Sequence, residues 1–475
     1  MKYIKFFGIY ALVLVFICTS CTRDGFLDIK PKGKVIPNKI EDYRLLLDQT
    51  ESAGGEINFS RGFVSKHFNT IYGADHILVT PEIVALNGID RIQLNLFQYR
   101  DIIYGAAQSD LDWEDYYQQI FTSNLILEGL SSVSNGTPNE ILALEAEAKL
   151  HRAYAYFNLV NIYGVHYNPS SAATDLGVPL RNSSSLVNVN LERVSVQKVY
   201  DFIIDEIETS IPNLPDTQPL QLSFRPSKAG AYGLLSKIFL YQANYSEALN
   251  AVESALTLSS TIRNINDDEV FEEPDIPTER YWPNVTEDVQ VVWHKELILD
   301  LAFTEEYIDL FETEDLRSQW FASLREREFI DLDGSILVAN QSAFFSGTDG
   351  INTPDLYLIR SECNARLGNI SEANDDLNTL RINRFEDGQY NPVSITDQDL
   401  LLQFIKEERR REFPMSVERI FDIKRYNRFD DDNISITHSF NSETSTIQAN
   451  SVNWAQPIGL LYINQNPEII QNTRE

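Results

Sequence analysis

Aromatic rings and carboxylates are the side chains through which this sequence could do chemistry. Its 70 Asp and Glu residues offer many carboxylate pairs of the kind that hydrolyse glycosides, but no spacing singles out two of them. The histidines, His67, His76, His151, His166, His294 and His438, are scattered, and no two stand four residues apart as on a zinc-binding helix. The chain contains no G-x-S-x-G elbow, H-E-x-x-H pair, P-loop or G-x-G-x-x-G turn. No catalytic constellation stands out, so the chain is read as not an enzyme. Asp331-Leu332-Asp333-Gly334 and Asp430-Asp431-Asp432-Asn433 carry oxygens of the type calcium takes, but neither completes an EF-hand loop. Both are read as solvated acidic turns, so structural calcium is not expected, nor is any cofactor.

The aromatic side chains, 22 Tyr, 26 Phe and 5 Trp, are numerous. Sugars present C–H faces that stack on Trp or Tyr, and hydroxyls that need planar polar partners such as Asp, Asn and Arg. On that chemistry the candidate ligand-binding residues are Tyr281, Trp282, Tyr72, Asp75 and Trp320. Tyr281 and Trp282 stand in a polar, Pro-containing stretch where helix packing explains them poorly. Tyr72 and Asp75 stand in an earlier irregular stretch, and Trp320 follows Asp315-Leu316-Arg317. Ordinary packing is the competing reading for each. The formal net charge of −31 repels phosphate backbones, which excludes nucleic acid as a partner.

The elements that would position these residues are mostly helices. Leu142, Ala146, Leu150, Ala153, Phe157 and Val160 recur at steps of three and four, one face of an amphipathic helix that Gly164 would end. Similar patterns predict helices over 194–211, 228–243, 246–258, 305–311, 354–367, 371–384 and 397–412. Asn244-Tyr245-Ser246-Glu247-Ala248 is echoed by Asn369-Ile370-Ser371-Glu372-Ala373. Each copy follows one helix and opens another, with Ser expected as the N-cap. In the first copy Leu235, Phe239, Ala248, Val252 and Ala255 fall where tetratricopeptide units place packing residues. The run Glu407-Glu408-Arg409-Arg410-Arg411-Glu412 is expected to form ion pairs along one helix. Residues 54–110, 259–292, 328–353 and 427–453 read as irregular insertions, the usual place for binding residues. The fold class is all-α dominated: tetratricopeptide-like helical hairpins carrying irregular ligand-binding insertions.

The N-terminus reads as an address. Lys2 and Lys5 precede an apolar run from Phe6 to Ile17, the layout of a secretory signal and too short to span a bilayer. The following Cys18-Thr19-Ser20-Cys21 resembles the lipobox of bacterial lipoproteins, although Cys18 stands where Leu is usual. The resemblance implies cleavage after residue 20 and acylation of Cys21, whose chains would hold the protein to outer-membrane lipid. Cys363 would then be the one free thiol, which excludes a disulfide framework. It is read as a small buried residue.

Six segments, in order, resemble the SusD/RagB family of nutrient-binding outer-membrane lipoproteins of Bacteroidota. They are Cys21 through Phe26-Leu27-Asp28 to Pro31 and Gly33; Trp113, Tyr117, Ile120 and Asn124; and Glu147-Ala148-Lys149 through Arg152-Ala153-Tyr154 to Tyr163-Gly164. Further on come Tyr357-Leu358-Ile359-Arg360-Ser361-Glu362 to Arg381, and Glu408 to Glu412 continuing through Arg419 and Phe421-Asp422-Ile423-Lys424-Arg425. Last are Gln456-Pro457-Ile458 and Asn466-Pro467 to Gln471-Asn472. The chain departs from the family pattern at 413–418 and at Gly459. The acidic tract after the lipidated Cys is reduced to Asp24.

The resemblance implies a single α-rich domain over 21–475, with halves 21–215 and 216–475 packed together and four tetratricopeptide-like hairpins. It implies a protein facing the cell exterior that captures oligosaccharides and serves as a lid over a SusC-like TonB-dependent barrel. A peptide ligand, as in RagB-like members, is the alternative, and a lipid-anchored glycoside hydrolase is a weaker one. The family-like blocks, with Trp113 and Trp454, are read as scaffold.

Overall fold

The computed structural model describes residues 37–49, 62–63, 69–271, 279–280, 287–297, 301–323, 337–339, 347–348 and 350–475. Within them the chain forms α1 (Ile40–Leu47), α2 (Pro81–Asn87), α3 (Arg91–Phe97), α4 (Leu111–Leu130), α5 (Pro138–Tyr163) and α6 (Val196–Ser210). There follow α7 (Lys228–Tyr241), α8 (Tyr245–Leu258), α9 (Glu305–Ile308) and α10 (Thr353–Leu367). The last are α11 (Ile370–Arg381), α12 (Gln398–Glu412), α13 (Glu418–Phe429) and α14 (Leu460–Gln465). The all-α dominated, tetratricopeptide-like expectation holds.

Local chemistry sets the boundaries. α5 begins four residues before its apolar periodicity does, because Thr137 and Glu140 form a capping box and Pro138 occupies the first helical position. The two echoed motifs open their helices one residue earlier than the Ser residues suggested. Asn244 (φ −91°, ψ 71°) and Asn369 (φ −84°, ψ 67°) are the N-caps, in matching conformations and without a side-chain cap. Ser246 and Ser371 already stand inside the helices. Of the expected packing positions, Leu235, Ala248, Val252 and Ala255 are buried and Phe239 is partly buried against the main apolar cluster; in the second copy Ala373, Leu377 and Leu380 are buried. α8 packs on both α7 and α10, which joins the two hairpins side by side. α4, α5 and α6 pack in the same sequential manner. Where α7 meets the short strand Ile351–Asn352, a Cβ on Gly233 would stand 2.5 Å from Ile351 Cγ2, so close approach requires glycine there.

The irregular stretches contain short antiparallel strands. Residues 427–453, read as irregular, contain a regular hairpin, Ile436–Phe440 paired with Glu443–Ile447. Its turn residues Asn441 and Ser442 both have positive φ (50° and 65°), the two-residue geometry that matches strand twist. One buried apolar cluster draws on both halves of the chain, including Ile71, Leu150, Leu234, Trp293, Phe421 and Ile469.

The 407–412 run departs from expectation. Arg411 and Glu408 do pair along the helix at 2.9 Å. Glu408, Arg409 and Glu412, however, are buried and reach other elements. Arg409 donates to Asp355 of α10 (2.8 Å) and to Asp422 and Glu418 of α13 (2.9 and 3.2 Å). Lys237 of α7 joins Asp355 at 2.8 Å and also pairs with Glu418. Arg425 holds Glu362 at 2.7 Å and Asp422 at 2.8 Å. Arg317 reaches Asp315 (2.7 Å), Glu408 (2.8 Å) and Glu412 (2.8 Å). Most of these partners, such as Asp355 for Arg409, Glu362 for Arg425 and Glu408 for Arg317, lie far apart in sequence, so a local spacing rule could not find them. Burial alone would raise these carboxyls, but the guanidinium and ammonium groups overcome it: Glu362 and Glu408 are held well below the usual range, and Asp355 is lowered.

Two predictions follow from this network. Removing one member of a buried ion cluster strands its partners, so Arg409→Met should destabilise by about 3–5 kcal/mol, read from denaturant midpoints. The folded state also binds these carboxyl protons less readily than the unfolded chain does. Its contribution is therefore fully present at neutral pH, begins to be lost as pH falls into the ordinary carboxylate range, and goes on being lost down to the lowered folded-state values. Melting temperature should drop steeply between about pH 5 and pH 3, and a flat profile would contradict the account.

Candidate functional site

Tyr281, Trp282 and the lipidation candidate Cys21 lie outside the described residues. The other candidates are placed in the framework. Tyr72 belongs to a 3₁₀ turn, Asn69–Gly73, and is only 4 % exposed. Trp320 ends another, Leu316–Trp320, at 2 % exposure. Rings so buried offer no face to a sugar in this conformation, and both join the main apolar cluster. Asp75 is bound at both oxygens by Arg419 (3.0 and 2.6 Å), with Arg410 at 3.4 Å. Burial would raise its carboxyl, but Arg419 and Arg410 carry it well below the usual range. For these three, packing and pairing describe the placement.

Of the acidic turns, 331–334 lies outside the described residues. In the other, Asp430 pairs with Arg366 (2.7 Å) and Lys406 (2.8 Å), and Asp432 with Lys406 (2.7 Å). Cations of the chain itself occupy those carboxylates. Among the described residues no group of three or more His, Cys, Asp or Glu is placed to hold a metal ion. Cys363 is buried, as read.

Partly exposed aromatic rings converge elsewhere, in an open cleft of about 430 Å³ between α4, the 181–186 segment and α14. Trp113, Tyr117 and Phe121 stand four residues apart along α4 and line it together with Tyr462. Trp113 is mostly buried and forms the floor, whereas Tyr117, Phe121 and Tyr462 are half-buried. The Trp113 and Tyr117 ring centroids are 4.7 Å apart, and those of Trp113 and Tyr462 are 6.1 Å apart at an interplanar angle of 23°.

Planar polar groups frame the rings. Asn124 donates to the Arg181 and Ser183 carbonyls (3.1 and 3.2 Å), and its own carbonyl accepts from Arg152. Arg152 is in turn held by Glu206 of α6 at 2.8 Å. The Tyr117 hydroxyl donates to the Pro179 carbonyl at 2.8 Å, which fixes the ring. The Arg181 guanidinium donates to backbone carbonyls of Ser183 and Ser185, and Gln118 stands exposed at the rim. Ring faces flanked by amide and guanidinium groups suit a ligand that is apolar on its faces and polar at its edges. The i, i+4, i+8 ladder of Trp113, Tyr117 and Phe121 was the available signal. It reads as packing until the half-buried state of two of the three rings is known.

The fold and cleft together define a helical-hairpin scaffold with a ligand-sized groove, and comparison with known proteins gives the family. Residues 26–240 match a family described as "Starch-binding associating with outer membrane", and residues 353–474 match one described as "SusD family". The chain belongs to the SusD/RagB family of Bacteroidota. Two curated relatives from Formosa agariphila are similar. SusD-like protein P25 is 20 % identical over 61 % of this chain and 51 % of its own length. SusD-like protein P38 is 24 % identical over 54 % of this chain and 46 % of its own. The matched regions thus span about half the length of each of these relatives.

Among solved structures, a SusD superfamily protein from Bacteroides thetaiotaomicron VPI-5482 superposes with a TM-score of 0.70 at 17 % identity, covering 92 % of this chain and 100 % of the other. A SusD-like carbohydrate binding protein from Bacteroides vulgatus ATCC 8482 gives 0.66 at 15 % identity, covering 92 % and 99 %. A laminarin binding SusD-like protein gives 0.59 at 19 % identity, covering 85 % and 93 %. At these identities the likeness establishes the fold. No helix among the described residues is long and apolar enough to cross a membrane.

Proposed function

We propose that this chain is a lipid-anchored outer-membrane protein that captures oligosaccharides and passes them to a SusC-like TonB-dependent barrel. The observation that carries the reading is the aromatic cleft on α4. Tyr117, Phe121 and Tyr462 supply partly exposed ring faces above the buried Trp113, and Arg181 and Gln118 bring planar polar groups to the same groove. The family description, starch binding and outer-membrane association, points the same way. So does a structural neighbour that binds laminarin. Acylation of Cys21 would tether residues 21–475 as a single domain, on the exterior face, with its groove available to both ligand and barrel. The Tyr281–Trp282 segment would add a second stacking surface. In this reading the protein binds and hands over; it carries out no bond chemistry of its own.

The test is calorimetry on purified residues 22–475 against starch and laminarin fragments, other plant and microbial glycans, and a peptide digest. At least one glycan class should bind. Tyr117→Ala, with helical content unchanged by circular dichroism, should weaken it about tenfold or more, the equivalent of about 1.4 kcal/mol. Affinity retained in Tyr117→Ala but lost in Trp282→Ala would move the site out of this cleft. Binding of peptides alone would overturn the glycan reading.

A further inference from the structure

A second cleft, of about 330 Å³, lies between α13, the 165–175 segment and the 449–454 segment. Its lining differs in kind from that of the aromatic cleft. Lys424, Arg428 and His166 stand together in it, with Trp454, Ser171 and Asp175. In a chain of net charge −31, such a convergence of nitrogen donors needs a physical reason.

Lys424 is buried, and its ammonium donates to the Gly164 carbonyl (2.9 Å) and the Asn161 carbonyl at the C-terminal end of α5. Those contacts make it a partner for the negative end of the α5 dipole. They use two of its three N–H donors. No carboxylate among the described residues forms an ion pair with it, and burial draws its ammonium down to about 7. Arg428 is exposed at the rim and makes no ion pair or hydrogen bond with another described residue. Its neighbour Arg425, by contrast, is tied to Glu362 and Asp422.

His166 is the second, independent observation. It is 7 % exposed, wedged between the Tyr241 and Phe429 rings at 6.0 and 5.4 Å, and neither ring nitrogen makes a hydrogen bond of ordinary geometry. The Tyr241 backbone is a weak hydrogen-bond partner outside that geometry; burial and the cations Lys424, Arg425 and Arg428 nonetheless keep the ring neutral. A buried N–H held only in poor geometry is costly, so a better-placed acceptor entering the cleft would compete for it. The single carboxylate in the lining, Asp175, already accepts from Ser171 Oγ at 2.6 Å. Trp454, half-buried with its Nε1 turned to the Gln448 carbonyl, places an indole ring in the same lining.

We propose that this cleft binds an acidic sugar unit, its oxyanion received by Lys424, Arg428 and His166 and its ring set against Trp454. The anion supplies the counter-charge that Lys424 lacks and a better-placed acceptor for His166. The site is separate from the aromatic cleft. It draws on the glycan-capture reading for the sugar but not for the anion.

Calorimetry on residues 22–475 with tri-galacturonic acid, the matched neutral galactose trimer and inorganic sulfate tests it. Arg428 is exposed and pairs with no other described residue, so Arg428→Gln should fold normally. His166→Phe keeps an aromatic ring between Tyr241 and Phe429 and removes both nitrogens, with folding checked by circular dichroism. The uronate should bind, and each variant should weaken it about tenfold or more, while Tyr117→Ala leaves it unchanged. The neutral trimer should show no dependence on Arg428. Uronate binding indifferent to both variants would overturn the proposal, as would equal binding of the neutral trimer. Sulfate binding with the same Arg428 dependence, in the absence of uronate binding, would overturn the sugar assignment. Failure of all three probes while a neutral glycan still binds at Tyr117 would sink this site and leave the glycan-capture reading intact.

Discussion

The guanidinium of Arg409, buried among Asp355, Glu418 and Asp422, is the interaction on which the C-terminal half depends. Those carboxylates belong to α10 and α13, and Lys237 of α7 shares two of them. Three other helices, two of them remote in sequence, are thereby fixed to α12 at one point. A buried charge is tolerated only when every partner is present, so the arrangement discriminates sharply between correct and incorrect docking of the hairpins. Arg317 and Arg425 extend it to the 315–320 turn and to the far end of α10. The cluster is a constraint on geometry first, and its net contribution to stability is smaller than the loss on breaking it.

The N-terminal half is positioned by a lighter version of the same device. Glu206 of α6 holds Arg152 of α5, which holds Asn124 of α4, which receives the 181–183 backbone. That relay sets the wall of the aromatic cleft opposite the rings of α4. The groove is therefore formed by packed helices and a pinned segment, the rigid placement a stacking site requires.

Much of the scaffold was legible from local pattern. The α5 stripe and the two echoed motifs carried their own helical signal, and Ala248 and Ala373 announced close helix contacts. The Ser residues misplaced the helix starts because Asn244 and Asn369 reach the cap conformation without a side-chain bond. The spacing of the 407–412 run shows only pairing along its own helix, because its other partners lie at positions such as 355 and 317, beyond any spacing rule. Site reading suffered from the same blindness to burial. Tyr72 and Trp320 stand in polar-looking stretches, yet short 3₁₀ turns fold both rings inward. Trp113 and Tyr117 stand in a helix that reads as scaffold, yet one side of that helix opens to a groove.

The central claim is that the groove beside α4 is a face for glycans. The most direct measurement is hydrogen–deuterium exchange of residues 22–475 with and without the glycan that binds most tightly. The account predicts slowed exchange in the 181–186 segment and at 460–465, the two walls that face the α4 rings. Slowing confined to other segments, with these two unchanged, would contradict it.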